Sequence, residues 1–72
     1  MNLREILTSE NFDFVTTFFK MRITDDNSIF CQCGSSDDPS IKIHADGTAT
    51  TFTDGYNPKE YETANDAVLA VK

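Results

Sequence analysis

Cys31, Cys33 and His44 are the residues of this chain best suited to hold a metal ion. Two thiolates and an imidazole are zinc ligands, and a nearby aspartate could supply the fourth. On a strand, however, Cys31 and Cys33 would point to the same face about 7 Å apart, too far for a comfortable shared tetrahedral site. Free cysteine is also among the most buried residue types. We expect reduced, metal-free, partly buried cysteines and no cofactor, with a small Cys/His metal site as the alternative.

Enzymatic chemistry is poorly supported by the same residues. A cysteine nucleophile needs an adjacent base, and His44 is the only histidine of the chain. The predicted strand pattern places His44 on the opposite sheet face from the cysteines. With only three glycines, a phosphate-cradling loop is also not expected. The sequence therefore indicates a protein that is not an enzyme.

Acidic residues dominate the charge of the chain. Twelve Asp and Glu stand against six Lys and Arg, giving a net charge of −6. This balance argues against nucleic-acid and anionic-membrane binding, since both need positive charge facing phosphates. It permits a basic protein partner. The paired carboxylates Asp25-Asp26 and Asp37-Asp38 lie in predicted turns, where aspartates usually cap backbone amides, rather than in the buried surroundings that a general acid needs.

The length of 72 residues indicates one domain, residues 1–72. A chain this short buries only about 60% of its unfolded surface, so one small core is expected. No apolar run approaches the roughly 20 residues that span a bilayer. Residues 1–7 carry charge where a secretory signal has its apolar segment. We therefore expect a cytoplasmic protein without membrane contact.

An N-terminal helix is predicted after Asn2, which can cap its first turn. Its apolar residues share one face: Leu3, Ile6 and Leu7. The helix is expected to end near Ser9 or Asn11. Residues 10–16 fit either a strand or a second helix capped by Ser9, and the helix is favoured. Residues 17–24 are predicted as a strand, because Val, Thr and Phe favour strands.

A turn is predicted at residues 25–27, followed by a strand over 28–33 and a loop over 34–39. The clearest local pattern is a hairpin over residues 41–53 with a two-residue type I′ turn at Asp46-Gly47. This register pairs Ala45 with Thr48, Ile43 with Thr50 and Ile41 with Phe52. It buries one face and exposes the other; the buried residues are Ile41, Ile43 and Phe52, and the exposed ones Lys42, His44 and Thr51.

Residues 54–58 are predicted as another turn, and Thr63 as the cap of a final helix. The apolar residues of this helix are spaced for one buried face: Ala64, Ala67, Val68 and Val71. The sum is a small α+β fold. It consists of an antiparallel β-meander of three to four strands, with an N-terminal and a C-terminal helix packed on one face.

A chain with residues 10–19 helical and only three strands would have the order helix, three strands, helix. That order resembles double-stranded-RNA-binding domains. Such domains carry a basic cluster at the start of the last helix, where this chain has Lys59-Glu60-Tyr61-Glu62-Thr63. The resemblance covers the order of elements alone, and the charge argues against RNA binding.

Alternate turns of a meander lie at the same end of the sheet. Aspartates are therefore expected to gather at two ends: Asp25, Asp26 and Asp46 at one, and Asp37, Asp38 and Asp54 at the other, near Tyr56. These seven residues are the predicted partner-binding residues. The alternative is that these aspartates form only a solvated acidic surface that binds no partner.

The function expected from size and charge is that of a small acidic interaction protein. It would dock its acidic turns on a basic, nucleic-acid-binding protein and act as an inhibitor or adaptor, as phage and mobile elements use. The alternative is a homodimeric structural module that pairs through a sheet edge or buries Phe12, Phe14 or Phe18. The oligomeric state is left open between monomer and homodimer.

Overall fold

The computed structural model describes residues 2–33, 39–53 and 57–72. Its elements, in chain order, are α1 (Leu3–Ile6), α2 (Ser9–Phe18), β1 (Lys20–Ile23), β2 (Ile29–Gln32), β3 (Ser40–Ile43), β4 (Ala49–Thr53), β5 (Asn57–Tyr61) and α3 (Ala64–Val71). The strands form one antiparallel sheet in the order β1-β2-β3-β4-β5. The predicted α+β meander is confirmed, but with five strands rather than three to four. The element order therefore differs from that of double-stranded-RNA-binding domains.

The two N-terminal helices begin at capping side chains. The Asn2 side chain accepts a hydrogen bond from the Arg4 amide at 3.0 Å, and α1 ends at Ile6, earlier than predicted. The cap of α2 is Thr8 rather than Ser9, since the Thr8 hydroxyl accepts from the Asn11 amide at 3.3 Å. The helical reading of residues 10–16 is confirmed. Because α2 continues to Phe18, the strand predicted from residue 17 begins only at Lys20.

The core lies between one face of the sheet and the helices. The sheet contributes Ile29, Cys31, Ile41, Ile43 and Ala49, and the helical side contributes Leu3, Leu7, Val15, Phe19, Ala64, Ala67 and Val68. Alternation along each strand sends every second side chain to this face. The α3 residues that face the sheet are small, so this helix can lie close to β3, β4 and β5. The predicted buried face of α3 is confirmed, with Val71 half-buried at its edge.

The β3–β4 hairpin differs from the prediction by one residue in register. Its loop has three residues, since the His44 amide donates to the Thr48 carbonyl at 2.8 Å and the Gly47 amide to the His44 carbonyl at 3.0 Å. Gly47 has a φ of +92°, which fits a type I turn followed by a glycine bulge. Ile43 consequently pairs with Ala49 and Ile41 with Thr51.

A one-residue shift sends every side chain of the shifted strand to the other face. Thr51, predicted as exposed, is buried against the core. Phe52, predicted in the core with Ile41 and Ile43, lies on the opposite sheet face. There it is half-buried, with its ring 6.4 Å from the Phe30 ring in an edge-to-face contact. The predicted outward positions of Lys42 and His44 are confirmed.

Strand β5 was not predicted. A turn was expected over residues 54–58, of which 54–56 lie outside the described residues, while Asn57 and Pro58 belong to the strand. The segment Asn57–Tyr61 combines a proline with two charged residues, so its local composition does not favour a strand. It forms because β5 pairs with the edge of β4 that does not bond to β3, and because Tyr61 packs against the core. Tertiary context therefore decides this element.

Asn65 joins the three helices through one side chain. Its oxygen accepts hydrogen bonds from the Thr8 amide at 3.0 Å and from the Asn11 side-chain amide at 2.9 Å. Its nitrogen donates to the Ile6 carbonyl at 3.1 Å. Asn11 is only 4% exposed, so its amide depends on this partner. The amide of Asn65 thus fixes α3 against the end of α1 and the start of α2.

Replacing Gly47 by Val should destabilise the fold by about 1–2 kcal/mol, because a β-branched residue resists positive φ. Among the described residues, no atom apart from those of Gly47 and its chain neighbours lies within 4 Å of the position a Cβ would occupy, so the penalty is conformational rather than steric. Gly47→Asn should cost less, since asparagine tolerates this region, as Asn27 does with a φ of 67°. Urea unfolding measures the difference. Equal midpoints for wild type and Gly47→Val would contradict the turn geometry.

Replacing Asn65 by Leu should cost about 2–3 kcal/mol, because it leaves the buried Asn11 amide without a partner. The double variant Asn65→Leu with Asn11→Leu removes both polar groups and should recover part of this loss. A double-mutant cycle on urea unfolding gives the coupling energy. Additive effects of the two substitutions would show that the Asn11–Asn65 contact does not matter for stability.

Candidate functional site

The strongest candidate site is the end of the sheet that carries the β1–β2 and β3–β4 turns. Both turns lie there because the strands alternate in direction, and the carboxyl end of β5 joins them. We call this surface the acidic end and define it by four exposed carboxylates: Asp25, Asp26, Asp46 and Glu62. At a strand spacing of about 4.8 Å, the two turns lie roughly 10 Å apart. The acidic end is therefore a row of charges rather than one cluster.

Asp26 holds the β1–β2 turn in its shape. Its carboxylate accepts hydrogen bonds from the Thr24 hydroxyl and, at 3.3 Å, from the Ser28 amide. Its second oxygen forms an ion pair with Lys42 Nζ at 3.2 Å. The hydrogen bond from Thr24, followed by the contact with Lys42, holds the pKa of Asp26 well below the ordinary value. The side chain is exposed yet firmly ionised.

Asp46 has the equivalent place in the β3–β4 turn. Its carboxylate accepts from the Thr48 hydroxyl at 2.6 Å and from the Thr48 amide at 3.0 Å. These two bonds, the hydroxyl first, lower the pKa of Asp46. Asp25, by contrast, is exposed and forms no ion pair with any residue in the described ranges. The acidic end thus combines two carboxylates that shape turns with others that are available to a partner.

Glu60 and Glu62 were not among the predicted site residues. They border a shallow depression of about 240 Å³ beside the acidic end, together with His44 and Thr50. His44 Nε2 lies 2.8 Å from the Thr50 hydroxyl, which fixes the imidazole on the open face of the sheet. Two carboxylates beside a depression of this size suit an arginine or lysine side chain. Sequence reasoning missed them because it did not predict β5, whose pairing with β4 places them there.

The other predicted partner-binding residues, Asp37, Asp38, Asp54 and Tyr56, lie outside the described residues. The structure therefore brings together Asp25, Asp26 and Asp46.

The cysteines and the histidine do not converge. Cys31 is fully buried on the core face, whereas His44 lies on the opposite face of the sheet. Both cysteines are free, and the half-buried Cys33 places its thiol 3.4 Å from the Phe18 carbonyl. Burial raises the pKa of the Cys31 thiol to about 12, so the reactive thiolate is disfavoured. Within the described part of the chain, no three His, Cys, Asp or Glu side chains are placed to hold a metal ion.

The open face of the sheet carries half of the basic side chains of the molecule. The register places three of the six Lys and Arg residues on it: Lys20, Arg22 and Lys42. The Arg22 guanidinium lies 5.4 Å from the centre of the Phe30 ring, a favourable cation–π distance. Lys20 and Arg22 lie on β1, whereas Lys42 on β3 forms the ion pair with Asp26 of the acidic end.

No protein-family model, curated protein or solved structure matches this chain. In residues 2–33, 39–53 and 57–72, no helix has the length and apolar character that crossing a membrane requires.

The two turn aspartates predict how stability depends on acid. Their pKa values in the folded protein lie below the ordinary 3.8, which the unfolded chain recovers. Their contribution is therefore complete above pH 3.8 and is lost as the pH falls below it. Asp26→Asn with Asp46→Asn should lower stability at neutral pH and flatten the loss below pH 3.8, as measured by urea unfolding. A double variant with the same acid dependence as wild type would refute this role.

Proposed function

We propose that this protein is a non-enzymatic interaction protein that docks its acidic end on a basic surface of a protein partner. The observation that carries the proposal is the alignment of Asp25, Asp26, Asp46 and Glu62 along one end of the sheet. Fixed charges of one sign raise the rate of encounter with a surface of the opposite sign. A nucleic-acid-binding protein is the class of partner that presents such a surface, and occupation of that surface would inhibit it.

The contacts of the turns support this proposal. Asp26 and Asp46 are ionised and held by their own turns, so little side-chain freedom is lost when a partner binds. The depression bordered by Glu60 and Glu62 offers a place for one basic side chain beside the row. The ion pair between Asp26 and the half-buried Lys42 lies at the surface, where such pairs contribute little to stability, so a partner's arginine can replace Lys42 at small cost.

The test is charge reversal that leaves the turns intact. Asp25→Lys with Glu62→Lys changes two carboxylates that cap no turn within the described residues, and keeps Asp26 and Asp46. A tagged wild-type protein should capture a basic partner from lysate at low salt and release it at high salt, or on addition of nucleic acid. The double variant should associate with the isolated partner about tenfold more slowly or worse at low salt.

The matched control is Glu5→Lys with Asp13→Lys, which changes the net charge equally but lies on α1 and α2. It should bind nearly as wild type does. A third variant, Asp37→Lys with Asp38→Lys and Asp54→Lys, tests the second predicted acidic group. If the control and the Asp25/Glu62 variant are weakened equally, net charge alone matters, and if both bind as wild type does, the acidic end is not the docking surface.

A further inference from the structure

Strand β1 is an edge of the sheet that the described residues form, and its outward groups can be identified. The Thr24 amide donates to the Ser28 carbonyl at 2.8 Å, so these two residues form a hydrogen-bonded pair. Hydrogen-bonded pairs alternate along an antiparallel ladder, so Lys20 and Arg22 bond to β2 in the same way. The backbone groups of Met21 and Ile23 consequently point away from the sheet. An edge of this kind is a template for an added strand.

The helix-side face of this edge is apolar and uncovered. Met21 is 41% exposed and Ile23 75% exposed, although both side chains point to the face that carries the helices. Beside them lies an open groove of about 550 Å³, to which Leu3 and Ile29 also contribute. Phe18, 61% exposed, precedes the strand, whereas the other two candidate phenylalanines, Phe12 and Phe14, pack against the core. Apolar side chains of an added strand would find contacts here.

The open face of the same edge is cationic. Lys20 and Arg22 alternate with Met21 and Ile23 along β1, and both are exposed. An added strand would therefore meet apolar side chains on one face and two positive charges on the other. Its best complement is a strand in which acidic and apolar residues alternate.

A second copy of this chain is a poor complement. Antiparallel pairing of two β1 strands centred on Arg22 would set Arg22 opposite its own copy, and centring on Met21 would set Lys20 opposite Arg22. Like charges directly opposite each other destabilise a strand pair. At the other sheet edge, the backbone of Pro58 points outwards and has no N–H to donate, so β5 is protected against strand addition.

We propose that the β1 edge binds an extended peptide segment of a partner protein in which acidic and apolar residues alternate. The segment adds a sixth strand. Its main chain bonds to Met21 and Ile23, its apolar side chains enter the groove beside Leu3 and Ile29, and its carboxylates face Lys20 and Arg22. Backbone pairing supplies affinity and the alternating side chains supply specificity in this mode of recognition. Most of the net charge of −6 has little effect on the peptide, because charges beyond about 8 Å are largely screened at physiological salt; Asp25 and Asp26 lie closer, in the turn beyond the Ile23 end of β1.

The probe is the acetylated and amidated peptide Val-Glu-Val-Glu-Val. Two controls are Val-Lys-Val-Lys-Val, which reverses the charge, and Glu-Glu-Val-Val-Val, which keeps the composition and loses the alternation. Amide hydrogen exchange by NMR gives the readout. The Met21 and Ile23 amides should exchange about tenfold more slowly with the first peptide at about ten times its dissociation constant. Neither control should protect them.

Three variants of the β1 edge, with one control on α3, separate the contributions of its backbone, apolar and charged groups to peptide binding. Ile23→Pro removes an outward N–H that the sheet does not use, and should weaken binding about tenfold while circular dichroism stays unchanged. Ile23→Ser should weaken binding, whereas Leu69→Ser, at an equally apolar and 58% exposed position on α3, should not. Lys20→Glu with Arg22→Glu should exchange the preference between the Val-Glu and Val-Lys peptides.

Three outcomes would overturn the proposal. Equal protection by the alternating and non-alternating acidic peptides would show attraction by charge alone. If no peptide at millimolar concentration protects the Met21 and Ile23 amides, the edge does not bind a strand of this kind. Concentration-dependent dimerisation in sedimentation, abolished by Ile23→Pro, would make a second copy the occupant. None of these measurements uses the acidic end, so its failure as a docking surface would be seen separately.

Discussion

The register of the sheet depends on two turns of the same construction. In each turn, a three-residue loop joins the two residues of a hydrogen-bonded pair. The aspartate in the middle of the loop accepts a hydrogen bond from the backbone amide at the start of the next strand, and the third loop residue has a positive φ. Asn27 supplies that conformation in the first turn and Gly47 in the second. A one-residue error in either would turn a strand over and place its core residues in solvent. The two turns thus decide which side chains form the core.

The same turns also set the charge pattern of the surface. Because Asp26 and Asp46 cap the strands that follow the turns, both hairpins place a carboxylate at the same end of the sheet. The alternation within β1 and β3 then places Lys20, Arg22 and Lys42 on the open face. The molecule has a net charge of −6, yet its open face carries these three basic side chains in addition to the acidic end. Net charge alone describes neither surface.

The sequence predicts the elements whose signals are local. The caps at Asn2 and Thr63, the apolar face of α3 and the positions of both turns follow from residue types. The register of β4 does not, because Asp46-Gly47 fits a two-residue and a three-residue loop equally well, and Thr50, Thr51 and Thr53 show no apolar alternation to choose between them. Strand β5 could not be predicted, since its stability comes from pairing with β4 and from Tyr61. Glu60 and Glu62 were missed for the same reason.

The two edges of the sheet are protected in different ways, and the difference has a functional consequence. At β5, Pro58 removes an outward donor, and this disfavours an added strand whatever its sequence. At β1, Lys20 and Arg22 oppose pairing with a second copy but leave the backbone groups of Met21 and Ile23 available. Charge is a selective barrier, because it excludes strands of like charge and attracts those of opposite charge. The charges that disfavour pairing of two β1 strands would therefore also favour the acidic strand that we propose as the ligand of this edge.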